Sequence, residues 1–198
     1  MFVLVAFAVS LVSILRFESF SEYQHLFALL GCGFVIFLMG LIDDMFHLSA
    51  VIKLIITFVL VWFCARFGVR IFLIGQEPLD LLLTMMWVAG VCSAFNSIDN
   101  MNGLACGTAA ITSLWAFFIA WHTFPFGQRD ISFVSISIAG ACIGFMRYNF
   151  PNARMFLGNN GAFLIGFLIS SLMVLTGWSV GDPLKAIVIP CAIMVVPL

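Results

Sequence analysis

Leu26-Phe27-Ala28-Leu29-Leu30-Gly31-Cys32-Gly33-Phe34-Val35-Ile36-Phe37-Leu38-Met39-Gly40-Leu41-Ile42 carries no charge, and Asp43-Asp44 follows it at once. A helix crossing the hydrocarbon core needs about 20 apolar residues, and about 17 suffice, so this run fits a membrane span that stops at two acids. The same grammar repeats along the chain. Eight candidate spans result: Met1–Leu15, Leu26–Ile42, Ala50–Gly68, Asp80–Asn96, Gly103–Trp121, Ile131–Arg147, Gly161–Trp178 and Leu184–Leu198. The expectation is an all-α, polytopic transmembrane bundle of about eight helices, with residues 1–198 forming a single integral-membrane domain.

Composition agrees. The 198 residues are 64% hydrophobic and 9% charged, and mean hydropathy is +1.20. A soluble surface needs far more charge. The net charge of −1 gives no basic field for nucleic acid, which we exclude as a partner. The six cysteines lie in apolar runs without ligand spacing and read as small core hydrophobes. The first segment lacks a basic leader and reads as a retained helix rather than a signal peptide.

If every span crosses once, the connections 43–49, 97–102 and 148–160 share one face. The connections 16–25, 69–79, 122–130 and 179–183 share the other. In the second set, Val69 to Ile74, ended by Gly75 and Pro78, reads as a short extended piece or hairpin. Lys53, Arg147 and Arg154 lie toward the first face, and Arg16, Arg66, Arg70, Arg129 and Lys185 toward the second, so charge counting does not orient the protein. Gly103-x-x-x-Gly107 and Gly140-x-x-x-Gly144 are expected to let helices approach closely. Trp62, Trp121 and Trp178 sit as interfacial anchors opposite the polar loops.

Three polar stretches stand out, and all three fall on one face. Asp43-Asp44 admits a bland reading as first-turn acids of the next helix, although Ser49 is the better cap. Asn96, Asp99, Asn100 and Asn102, closed by Gly103, admit a turn of Asx type. Asn149 to Gly161 holds Pro151, Gly158 and two further asparagines, and so must be a structured loop. Together, three acids and several amides beside Lys53, Arg147 and Arg154 suit a doubly anionic phosphate ester and a divalent cation. His47 lies near the acids and reads as a surface residue. A transporter or membrane scaffold is the rival class; it calls for charges or Gly/Pro breaks at span centres, and none is clear.

At these residues the chain resembles the polyprenyl-phosphate N-acetylhexosamine-1-phosphate transferases of glycosyltransferase family 4, the MraY-type and WecA-type enzymes. Gly40-Leu41-Ile42-Asp43-Asp44 resembles the family's paired-aspartate motif. Asn96 to Leu104 resembles N-x-x-D-G/N-x-D-G-L. Asn149-Phe150-Pro151 and Phe156 to Gly161 resemble its N-x-P and F-M-G-D loop.

The resemblance implies a multi-pass protein of the bacterial inner membrane with a cytoplasmic active face. It implies transfer of a sugar 1-phosphate from a UDP-N-acetylhexosamine to an undecaprenyl-type phosphate, with release of UMP. Magnesium is the implied cofactor, with manganese as an alternative. Prenyl-phosphate lipid, UDP-amino sugar and membrane lipids are the implied partners, with room for a homodimer. Asp43, Asp44 and Asp99 take the catalytic roles. Lys53, Asn96, Asn102, Asn149 and Phe156 line the substrates, with Phe156 stacking on uracil. Asn159 stands at the metal position.

Two residues depart from the family pattern. Asn102 and Asn159 replace aspartates, and an amide oxygen ligates magnesium without adding negative charge. These replacements motivate the alternative of a non-catalytic member that binds prenyl phosphate or nucleotide-sugar. The resemblance further leads us to expect a chain incomplete at both ends.

Overall fold

The computed structural model describes residues 24–123 and 129–176. Six helices follow one another: α1 Gln24–Phe46, α2 Ala50–Ala65, α3 Glu77–Ile98, α4 Leu104–Thr123, α5 Arg129–Asn149 and α6 Gly158–Leu175. All but α2 are long and apolar enough to cross a membrane. With the relatives described below, this makes the chain a multi-pass membrane protein.

Six of the eight expected spans fall among these helices. Met1–Leu15 and Leu184–Leu198 lie outside the described residues, as do Trp178 and Cys191. The expected bounds 50–68 are corrected: the helix α2 is Ala50–Ala65, 16 residues that rise about 24 Å. The chain then turns through 66–68, where Gly68 takes a positive φ of 94°. Ser49 caps α2, its hydroxyl accepting from the Ile52 N–H.

The helix α6 is the axle. Every residue from Gly161 to Met173 is buried, as expected of a helix apolar on all sides. It packs on α1 and α3, while α4 and α5 form a second tight pair. Helix backbones approach closely at Gly40 and Gly166. A Cβ on Gly40 would run into the backbone of Asn160, and one on Gly166 would lie 2.8 Å from Cys92 Cα. By contrast, a Cβ on Gly140 would meet nothing within 4 Å, and Gly103 forms a left-handed turn ahead of α4 rather than part of a helix. The spacing alone does not tell which helix face meets a neighbour.

The expected hairpin at 69–74 is also corrected, since no strand forms among the described residues. The segment is a loop pinned from inside. The Asp80 carboxylate, fully buried, accepts N–H bonds from Leu73 (3.2 Å), Ile74 (2.8 Å) and Gly75 (3.2 Å). The Thr84 hydroxyl accepts from Ile71. A buried carboxylate needs such donors, and here they decide the path of the loop.

Candidate active site

The helix α6 begins at Gly158 with a deficit. The first four N–H groups of any helix lack partners within it, and Leu157, at the N-cap position, makes no side-chain cap bond. The deficit is met from two other helices. Asp99 Oδ2 accepts from Gly158 N (3.2 Å), Asp44 Oδ1 from Asn159 N (3.0 Å) and Asp44 Oδ2 from Asn160 N (3.4 Å). Asn160 Oδ1 accepts from Gly161 N at 2.6 Å. Two carboxylates thus cap one helix in trans, where its dipole favours negative charge.

Their geometry depends on glycine twice. Gly158 has φ +75°, and a Cβ there would lie 3.1 Å from Asp44 Oδ2. Gly40 lets α1 lie backbone to backbone against Asn160, which brings Asp44, one turn further on, over the α6 terminus. In the sequence Gly40 stands only as a letter of the paired-aspartate motif, and Gly158 as a sign of a structured loop. A glycine within an apolar run was the available signal.

The adjacent acids Asp43 and Asp44 have different fates because successive helix positions point about 100° apart. Asp43 is buried. Its Oδ2 accepts from Lys53 Nζ at 2.9 Å and its Oδ1 from Leu48 N at 2.7 Å, closing the α1–α2 turn. Lys53 lies over the Phe163 ring, 5.6 Å from its centroid. Asp44 faces outward and is exposed.

Asp99 ends α3 and is half-buried. Burial pushes its carboxyl up from the usual value near 3.8 to about 6; the Gly158 N–H pulls the other way, and the negative charge of Asp44 adds to the rise. Asn96 lies one turn earlier on α3, also half-buried.

Two other expected site residues, Asn149 and Asn102, also make bonds that join the loops. Asn149 is 1% exposed; its Oδ1 accepts from Gly103 N (2.6 Å) and its Nδ2 donates to Met155 O (2.8 Å). Its amide therefore joins the second and third loops, with one N–H and one lone pair left over. Asn102 Nδ2 donates to Pro151 O (3.1 Å), across the same seam. Phe156 is 61% exposed, and Asn159 is partly exposed beside Asp44. All three loops therefore meet at one end of the bundle.

A match to the family model of glycosyl transferase family 4 covers residues 26–177. The chain belongs to this family. Over 140 residues it is 34% identical to the undecaprenyl-phosphate alpha-N-acetylglucosaminyl 1-phosphate transferase of Thermotoga maritima, covering 70% of this chain and 42% of that protein. Over 175 residues it is 32% identical to the probable undecaprenyl-phosphate N-acetylglucosaminyl 1-phosphate transferase of Bacillus subtilis, covering 84% of this chain and 48% of that one. It is also 37% identical over 95 residues to the phospho-N-acetylmuramoyl-pentapeptide-transferase of Chlamydia pneumoniae, covering 47% of this chain and 27% of the relative. The chain spans less than half the length of the first two relatives.

The donor set fits a hard divalent cation. Among the described residues no three His, Cys, Asp or Glu side chains converge as a ready metal cage. Magnesium, however, is commonly held by one or two carboxylates plus water and substrate phosphate oxygens. Each ionised carboxylate offers about four lone-pair directions. The N–H bonds of the α6 terminus use two on Asp44 and one on Asp99.

Proposed function

We propose that this chain transfers a sugar 1-phosphate from a UDP-N-acetylhexosamine to a prenyl phosphate, releasing UMP, at a site on the cytoplasmic side of the bacterial plasma membrane. The observation that carries the reading is the shared capping of one α6 N-terminus by Asp44 and Asp99. Two carboxylates held at one helix end form a site for positive charge beside an anionic substrate.

An oxygen of the prenyl phosphate attacks the phosphorus that bears the sugar, and the bond from that phosphorus to the UMP oxygen breaks. The nucleophile is already an anion, so the protein has chiefly to position two anions and offset their repulsion. Asp44 and Asp99, with the amide of Asn159 beside them, would hold magnesium or manganese. Such a cation supplies charge neutralisation on the diphosphate.

Lys53 is held by Asp43 at the end of α1 and adds a fixed positive charge. We therefore assign Asp43 to positioning rather than proton transfer. Asn149 and Asn102 hold the loop that presents Phe156 for stacking, and Asn96 lines the same end of α3.

The test uses purified chain in nanodiscs with magnesium, prenyl phosphate and radiolabelled UDP-N-acetylglucosamine. Lipid-linked sugar should form and should vanish in Asp44→Asn and Asp99→Asn. Ligand binding without any product would leave the non-catalytic alternative standing and end the transferase reading.

A further inference from the structure

The third loop does more than cap and join. After α5 ends, residues 150–156 double back onto it: the N–H groups of Arg154 (2.9 Å) and Met155 (3.4 Å) both donate to the Tyr148 carbonyl. Asn102 holds the Pro151 carbonyl from the other side. The return brings Arg154 to the same cleft as Arg147, seven residues earlier. That cleft has a volume of about 370 Å³ and is lined by Arg147, Tyr148, Phe150, Pro151, Asn152 and Arg154. Its lining includes none of Asp44, Asp99 or Asn159.

Two arginines lining one cleft bring like charges together, which an anion bound between them would offset. The opposite end of the bundle handles the same residues differently. There Arg70 bonds Glu77 (3.4 Å) and lies over Phe72, and Arg66 lies over Trp62. Neither Arg147 nor Arg154 has a carboxylate at ion-pair distance among the described residues. A basic residue in the last turn of α5 is ordinary helix-dipole chemistry, which accounts for Arg147 alone. It does not account for a loop that folds back to add a second arginine.

We propose that this cleft binds a phosphate ester, at a site separate from the Asp44–Asp99 centre. Guanidinium forks match the paired oxygens of a tetrahedral phosphate, and their charge-assisted bonds are the strong ones. Asn152 adds an amide. Tyr148 and Phe150, 41% and 56% exposed, give an apolar wall for the organic group on the ester, which free inorganic phosphate lacks. The volume suits a small ligand or a headgroup.

The cleft lies at the end of a span, where membrane and water meet. Two sources share this chemistry: the headgroup of an anionic lipid, or a soluble phosphate ester. The site does not depend on the transferase reading.

The experiment places the full chain in phosphatidylcholine nanodiscs and measures binding of two probes. One is sn-glycerol 3-phosphate, followed by titration calorimetry. The other is phosphatidylglycerol blended into the disc, followed by native mass spectrometry. At least one probe should bind, and Arg147→Gln/Arg154→Gln should weaken it by about a hundredfold, about tenfold for each guanidinium. Binding by the lipid alone assigns the headgroup; binding by glycerol 3-phosphate assigns the soluble ester.

Asp99→Asn should leave this binding intact while abolishing transfer, which separates failure of one idea from failure of the other. The single variant Arg154→Gln, on an exposed loop, guards against a fold defect and should lose about tenfold. Binding of neither probe, or affinity unchanged in the double variant, overturns the proposal.

Discussion

The two ends of the helix bundle treat carboxylates in opposite ways. At one end Asp80 is sealed from solvent with three N–H donors from a single loop, and nearby Glu77 is paired with Arg70. At the other, Asp44 and Asp99 hold the first turn of α6 and still keep accessible oxygens. A carboxylate enclosed among donors fixes a chain path. One that is only partly engaged, at the end of a bundle, remains able to take a cation. Asp43 belongs with the first kind although it adjoins Asp44.

The largest effect should come from the open end. Asp44→Asn or Asp99→Asn should lower lipid-linked product by about a thousandfold, the scale of losing a fixed electrostatic group at the reacting centre, with helix content by circular dichroism unchanged. Comparable activity in either variant would erase the distinction between the two ends.

Asp80→Ala tests the closed end. Leaving three N–H groups without their buried acceptor should cost about 3 kcal/mol of stability, read as a lower thermal midpoint, while nucleotide-sugar affinity in the folded protein stays the same. Gly40→Ala should cost about 2 kcal/mol as α1 is pushed off Asn160. It should also weaken magnesium binding, because Asp44 moves with α1; an intact magnesium titration would detach Gly40 from the site.

Asn159→Asp adds one negative charge beside Asp44 and should raise magnesium affinity by about tenfold. An unchanged affinity removes Asn159 from the metal site. The smallest effect is a pH dependence without added cation. Because Asp99 has its folded pKa raised to about 6, its contribution to stability is present at acid pH and is lost as pH rises through about 6. The thermal midpoint should therefore fall between about pH 4 and about pH 7 more steeply in the wild type than in Asp99→Asn. Equal slopes would mean that Asp99 is not strained by its surroundings.

Much of this was open to sequence reading because membrane insertion leaves few choices. Long uncharged runs had to be helices, and polar residues had to gather at their ends, so five long apolar helices and the single polar face were legible. The α2 boundary was missed because Phe67 and Gly68 extend a hydropathy window past Arg66, whereas the chain turns over 66–68. The strand expectation at 69–74 failed because β-branched and aromatic residues there answer to a buried acid rather than to a partner strand.

Residue roles were harder to read. The family resemblance implies Asn149 as a ligand contact, and the structure adds what the motif does not show, that the same amide accepts from Gly103 and donates to Met155. Nothing in a linear pattern says where the second half of a hydrogen bond will come from.

The chain by itself determined a membrane-spanning helical protein with its asparagines and three of its acids collected at one boundary, because hydrocarbon tolerates little else. Only the tertiary structure decided that Asp43 turns inward to Lys53 while Asp44 turns out to cap α6 beside Asp99. That choice follows from helix phase and from the close approach allowed at Gly40, and both are properties of packed helices rather than of residue order.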